Sequence, residues 1–163
     1  MSIDDRYIYV DDFIRKVILH SAKILTEQIP YTSFGIISVG IEFLGKCLDE
    51  KVEFNFYKSG LPKKHFDLAI NELMHKYKNI NDKYNLQDKL RNGFLHSFCP
   101  KHPLWLRDKK TATELHLAEK DGLVHIIAEE LFFDFEAACQ EIINRINTRK
   151  FKHDKMYRPY LRT

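Results

Sequence analysis

The sequence predicts a mainly α-helical domain, a bundle of about five helices with a small antiparallel β-hairpin inserted before the last one. Two observations predict the bundle: apolar residues at helical spacing near the start of the chain, and an almost wholly apolar stretch after them. A third observation, apolar alternation on both sides of an Asp-Gly pair, predicts the hairpin. We expect one domain over residues 1–148, with the hairpin insertion at about 104–127, and a basic C-terminal tail over 149–163.

The first two helices are defined by their apolar residues. From residue 10 to 28, apolar side chains recur at i, i+3 and i+4, the spacing of one helix face, and Pro30 ends the pattern. The second helix runs over about 33–49 and is apolar nearly all round, so we expect other helices to surround it. Its glycines favour the close approach of a neighbouring backbone. They recur at five-residue intervals, as Gly35, Gly40 and Gly45.

The remaining elements follow from turn residues and alternation. A third helix begins near Pro62, because proline suits a first helical turn, and a fourth begins near Leu86. The hairpin turns at Asp121-Gly122, and Leu104 to Arg107 is a candidate third strand. A last helix with one apolar face follows the hairpin.

Composition and charge limit the class of protein. The chain of 163 residues is 44% hydrophobic, which is enough for a substantial core. No apolar run approaches the roughly 18 residues that a membrane span needs, and the residues after Met1 are acidic, unlike those of a secretory signal. Three widely spaced cysteines are typical of reduced, buried thiols. We therefore expect a cytoplasmic protein without membrane contact.

The last twenty residues are strongly basic. They contain seven Lys or Arg and one Asp, a formal charge of +6, whereas the whole chain carries +3. The body of the chain is therefore net acidic, and only the tail, where aromatic residues alternate with cations, predicts contact with RNA. The alternative is a solvated chain end. The candidate RNA-binding residues are Arg149, Lys150, Lys152, Tyr157 and Arg158.

A polar cluster interrupts the apolar pattern of the fourth helix. On a wheel with about 100° per residue, Asn92 and His96 share one face, while Arg91 falls in the apolar arc about 140° from His96. Arg91 must extend to solvent or meet an acid, and Glu42 of the second helix is the obvious acid, since it is costly to bury unpaired. Gly93 would allow a second helix, including one from another protomer, to approach closely.

The order Arg91, Asn92, three further residues and then His96 resembles the motif of HEPN domains (higher eukaryotes and prokaryotes nucleotide-binding). These domains are compact helical bundles with an Arg and a His on a late helix. The similarity covers roughly residues 11–98 and includes the apolar second helix. The toxin subgroup that pairs with nucleotidyltransferase-type antitoxins has a Tyr where this chain has Phe98, so the chain is not placed in that subgroup.

The resemblance implies a metal-independent endoribonuclease that acts as a homodimer, with both motifs in a cleft between protomers. His96 would transfer protons at the ribose 2′-OH or the leaving 5′-oxygen, and Arg91 would hold the phosphate. Asn92 would orient His96 or the phosphate by hydrogen bonding. Glu42 would support this group. The products would be a 2′,3′-cyclic phosphate and a 5′-OH end, and no cofactor is expected. Phage defence or a toxin–antitoxin-like system, with a protein partner or antitoxin, is the implied setting.

Two alternatives stay open. The motif residues could be structural in a non-catalytic module that binds RNA, a nucleotide or a protein in a regulatory or defence complex. His96, Cys99 and His102 have a spacing that zinc ligands can show, but no clear fourth ligand follows, so we expect no metal site. His116 and His125 fall on the same face of the predicted hairpin, and we expect this face to be exposed to solvent.

Overall fold

Six helices form most of the chain in a computed structural model, which describes residues 7–161. Helix α1 spans 10–28, with π-helical Ile14–Leu19 between α-helical Val10–Phe13 and His20–Gln28. Helix α5 spans 87–97 and is π-helical over Gln87–Asn92 and α-helical over Gly93–Ser97. The regular helices are α2 Pro30–Leu48, α3 Leu61–Leu73, α4 Lys78–Tyr84 and α6 Ala128–Asn147. The predicted mainly helical class is confirmed. Within the described range, no helix has the length and apolar character that crossing a membrane requires.

Five short strands form two small sheets in the described part of the chain. Strand β1 (Tyr7–Ile8) pairs antiparallel with β5 (Tyr160–Leu161) and joins the two ends of this part. Strand β4 (Leu123–Ile127) lies between β2 (Leu104–Arg107), to which it is parallel, and β3 (Glu119–Lys120), to which it is antiparallel. Strand β2 is the predicted third strand.

The predicted hairpin is present and is shorter than the sequence alternation suggests. Asp121 and Gly122 have φ of 51° and 75°, the positive values that a tight hairpin turn requires. The ladder covers only Glu119–Lys120 on the first strand, because Leu117 has a φ of 64°, which takes the chain out of the extended conformation. Leu115 therefore lies outside the sheet and is 82% exposed.

Helix α2 lies at the centre of the bundle, as its apolar sequence predicts. It packs against α1, α3, α5 and α6. Its inward side chains are buried, and they include Phe34, Ile37, Ile41 and Leu44. One side stays open, because Val39 is 36% exposed. The helix is thus covered on most sides by other helices.

Gly45 is the position in α2 where a neighbouring backbone comes closest. A Cβ atom added there would overlap the backbone carbonyl of His65 in α3. At Gly35 an added Cβ would lie 3.2 Å from a ring carbon of Phe94, a side chain. The predicted close approach of backbones therefore applies at Gly45, which sets the distance between α2 and α3.

The basic segment predicted as a separate tail over 149–163 is part of the fold as far as the structure describes it. Lys155 is only 4% exposed. Its Nζ donates hydrogen bonds to three backbone carbonyls at and just after the end of α2, those of Lys46 (2.9 Å), Val52 (2.6 Å) and Asp49. The local composition resembles that of a solvated tail, but this lysine caps a helix whose carbonyls would otherwise lack donors.

The His116 side chain is only 7% exposed, contrary to its predicted place on a solvated sheet face. Its Nδ1 accepts the backbone N–H of Ile127 at 3.0 Å, and its Nε2 lies 2.7 Å from the hydroxyl of Tyr77. The Tyr77 hydroxyl donates to Asp134 Oδ2 at 2.7 Å, so it must accept from Nε2–H. His116 is therefore a neutral imidazole that carries its proton on Nε2. It ties the segment before β3 to the bundle.

We expect His116 to make the protein less stable in mild acid. Burial, and to a lesser extent Lys76, lowers the pKa of His116 to about 4, although Asp134 and Glu130 act in the opposite direction. Because the pKa is depressed in the folded state, the buried neutral imidazole contributes its full stabilisation above about pH 6.5. This stabilisation is lost as the pH falls toward 4. The free energy of unfolding should fall by about 2 kcal/mol more between pH 7 and pH 4 in the wild type than in His116→Gln. Urea denaturation at several pH values measures this difference, and parallel pH profiles for the two proteins would contradict it.

Candidate functional site

Arg91 and Asn92 end the π-helical part of α5, where it packs against α2. Arg91 Nε lies 2.8 Å from Glu42 Oε2, so the structure brings together the two charges that the sequence left without partners. Arg91 Nη1 donates to Asn92 Oδ1 at 2.9 Å, and the side-chain amide of Gln87 donates to the same oxygen at 3.2 Å. These contacts hold the Arg91 side chain against α2.

Arg91 and Glu42 attract each other as opposite charges but do not form a well-aligned hydrogen bond. Their side chains are 19% and 15% exposed, and neither Arg91 Nε nor Glu42 Oε2 has a well-aligned hydrogen-bond partner among the described residues. Two half-buried opposite charges at this distance attract each other, and the attraction offsets part of the cost of removing both from water. Arg91 Nη2 has no hydrogen-bond partner within residues 7–161, so this nitrogen can donate to an added anion.

His96 lies in the last turn of α5 and is exposed. Within the described residues it forms no hydrogen bond or ion pair. Its sequence neighbours Leu95 and Phe98 are 52% and 65% exposed, so the end of α5 exposes apolar side chains as well as the imidazole. Arg91 and His96 lie on opposite sides of the junction between the π-helical and α-helical parts. The predicted wheel angle between them assumed one regular helix and does not apply across this junction.

Asn92 and Gly93 have different roles from those predicted. Asn92 forms hydrogen bonds with Gln87 and Arg91, so it orients the arginine, and among the described residues it forms none with His96. A Cβ added to Gly93 would lie 2.5 Å from the backbone oxygen of Cys99. The close approach at Gly93 is therefore made by residues 99–101 of the same chain, where it turns back along α5; this segment is called the return after α5. The glycine needs no second protomer to explain it.

The return after α5 is held firmly. The backbone N–H of Lys101 donates to the carbonyl of Lys89 at 2.8 Å, and Lys101 Nζ donates to Asp88 Oδ1 at 2.6 Å. This hydrogen bond lowers the pKa of the Asp88 carboxyl. The residues just beyond His96 are thus fixed to the start of the same helix.

A groove of about 410 Å³ opens beside this return. Trp105 of β2 and Tyr31 of α2, each 42% exposed, line it together with Cys99 and Arg107. The Arg107 guanidinium lies 4.8 Å from the centre of the Trp105 ring. Burial raises the pKa of the Tyr31 hydroxyl, and the Cys99 thiol adds to this shift, so the hydroxyl stays protonated at neutral pH. This groove was not predicted from the sequence. An aromatic residue two positions before an arginine in a short strand was the available sign.

The five predicted RNA-binding residues do not form one free basic surface. The Arg149 guanidinium lies 5.3 Å from the centre of the Tyr157 ring, and Arg158 Nη2 is 2.8 Å from Glu53 Oε1. Lys150 and Lys152 are exposed. They border a depression of about 500 Å³ that also contains three carboxylates, those of Glu50, Glu72 and Glu141. The acids interrupt the positive charge that the sequence pattern predicts.

The candidate zinc ligands lie at the end of α5 and in the return that follows it. His96 and Cys99 are exposed, and His102 lines the groove. Among the described residues, no group of three or more His, Cys, Asp or Glu side chains is arranged to hold a metal ion. The buried thiols are those of Cys47 and Cys139.

Comparisons of the chain with protein-family models, with curated proteins and with solved structures give no match.

Proposed function

We propose that the chain is a HEPN-like, metal-independent endoribonuclease whose active cleft forms between two copies of α5. One observation carries this proposal. Arg91 is held by Glu42 and Asn92 with one nitrogen free, while His96 stands exposed just beyond it on the same helix. A fixed phosphate-binding cation and an unengaged imidazole on one helix are two of the groups that cleavage of RNA by attack of its own 2′-OH uses.

The chemistry assigns a role to each side chain. The ribose 2′-oxygen forms a bond to phosphorus, and the bond from phosphorus to the 5′-oxygen breaks. One imidazole accepts the proton of the 2′-OH, a second donates a proton to the leaving 5′-oxygen, and Arg91 Nη2 stabilises the charge on the phosphoryl oxygens. The products are a 2′,3′-cyclic phosphate and a 5′-OH end. Two imidazoles are needed at once, and a second protomer would supply the second His96.

The surface around His96 suits contact with a second copy. Leu95 and Phe98 expose apolar area at the same end of α5 as His96, and such area is stabilised when a partner covers it. A two-fold axis close to α5 would bring the two His96 side chains into one cleft.

Incubation of the purified protein with mixed RNA in EDTA tests the proposal. We expect cleavage by the wild type and a loss of about 10²- to 10⁴-fold in His96→Ala, because that variant lacks the proton-transferring imidazole. His75→Ala is the matched control, since it removes an exposed histidine from a different part of the surface. Cleavage that is equal in His96→Ala and wild type, or absent from both, would refute the catalytic assignment.

A second candidate function is non-catalytic binding of RNA, a nucleotide or a protein partner. The observation in its favour is that Glu42 already neutralises Arg91 and would compete with a phosphate. Thermal unfolding of Arg91→Ala separates the two functions. A variant that unfolds indicates a structural ion pair, whereas a variant that folds normally and loses RNA cleavage supports the catalytic role.

A further inference from the structure

The groove beside the return after α5 has the shape and lining of a surface that stacks a flat ring. Trp105 and Tyr31 lie in its wall, and both expose a large part of their rings to solvent. The Tyr31 ring is fixed from behind by Phe94 of α5, with ring centres 5.3 Å apart. Exposed aromatic rings that are held rigid lose little entropy when a planar ligand stacks on them.

Arg107 adds positive charge to this groove. It follows Trp105 by two residues in β2, so both side chains leave the same face of the strand. Its guanidinium contacts the Trp105 ring and has no carboxylate partner among residues 7–161. No Asp or Glu lines the groove, although the chain outside its last twenty residues is net acidic. A guanidinium without a counter-ion, stacked on an aromatic ring, can contact both a base and a phosphate.

The groove lies next to the end of α5, the helix that carries Arg91 and His96. Cys99, in its wall, is three residues beyond His96, and its backbone oxygen lies against Gly93 in the same helix turn. A strand of RNA with its scissile phosphate at His96 would therefore have a neighbouring nucleotide within reach of this groove.

We propose that the groove binds one nucleobase of single-stranded RNA, stacked on Trp105 and Tyr31, with Arg107 at the adjoining phosphate. This inference rests on the proposed function for its substrate class. The stacking faces carry no base-specific hydrogen-bonding pattern, so the groove accepts more than one base. It holds the strand in register beside His96 and leaves the sequence preference weak.

Trp105 is the single tryptophan of the chain, so its fluorescence reports on the groove alone. The experiment titrates His96→Ala protein with a 2′-O-methyl oligonucleotide, which cannot be cleaved, and with an abasic oligonucleotide of the same length. We expect saturable quenching by the first and binding of the second that is weaker by roughly fivefold to 100-fold. Tyr31→Ala should weaken binding of the first by a similar factor. Arg107→Gln should weaken it and reduce its dependence on salt concentration.

Arg15→Gln is the matched control, because it removes an exposed arginine from α1 and should leave the affinity unchanged. Equal affinity for the two oligonucleotides, or an absence of quenching, would overturn the proposal and would favour a protein segment as the occupant. The two proposals fail separately. Wild-type cleavage of RNA without quenching refutes the groove, whereas quenching without cleavage refutes the nuclease.

Discussion

Replacement of Gly45 by alanine is expected to lower the melting temperature by about 10 °C or more, or to prevent stable folding. A methyl group at this position would overlap the backbone carbonyl of His65, which cannot rotate away as a side chain could. Both helices lie in the core, and His65 is itself buried with its Nε2 3.1 Å from Asp49 Oδ2. A shift of α3 would therefore disturb this polar pair as well.

Gly35→Ala is the matched control, since it makes the same chemical change in the same helix. An added methyl group there meets the Phe94 ring at 3.2 Å, and a ring can move by a few tenths of an ångström. The higher helix propensity of alanine, worth about 1 kcal/mol, offsets this crowding. We expect a melting temperature within about 3 °C of the wild type. Thermal unfolding followed by circular dichroism measures both variants, and equal melting temperatures would contradict the close contact at Gly45.

Lys155→Met is expected to lower the free energy of unfolding by about 3 kcal/mol or more, which corresponds to about 6–12 °C in melting temperature. Methionine keeps an apolar stem of similar length but removes the ammonium group that serves three backbone carbonyls. The carbonyl of Lys46 lies in the last turn of α2 at the negative end of the helix dipole, so it loses a cation as well as a donor. Buried acceptors without donors are costly.

Lys152→Met provides the comparison. Lys152 is an exposed lysine in the same segment, so its replacement should change the free energy of unfolding by less than about 0.5 kcal/mol. Urea denaturation of both variants gives the two values. A Lys155→Met protein as stable as Lys152→Met would show that the cap contributes nothing to folding.

The helices and the hairpin turn were predictable because their determinants are local. Apolar periodicity defines the buried face of a helix, and Asp121-Gly122 carries the positive φ values of a tight turn in its own residue types. The burial of Lys155 was not predictable in this way. Its acceptor at Lys46 lies 109 residues away in the sequence, and its neighbours are those of a solvated tail. His116 was misassigned for the same reason, since Tyr77, its partner, is 39 residues away.

At the candidate site, the contact between Arg91 and Glu42 could be predicted because each charge is costly to bury alone. The role of Gly93 could not, since glycine indicates that something approaches closely without indicating what approaches. The π-helical turn that precedes it has no sequence signature comparable to a proline or an Asp-Gly pair. The groove at Trp105 depends on the parallel pairing of β2 with β4, which brings distant segments together.

The cap that Lys155 forms at the end of α2 also determines the order in which parts of the fold can form during synthesis. Residues 30–48 leave the ribosome early, yet the carbonyls at the end of their helix receive a charged donor only after residue 155 has emerged. The pairing of β1 with β5 is completed later still, because Tyr160 follows Lys155. A nascent chain can therefore form the helix over residues 30–48 before the end of that helix is capped, and the cap and the pairing of β1 with β5 follow in that order.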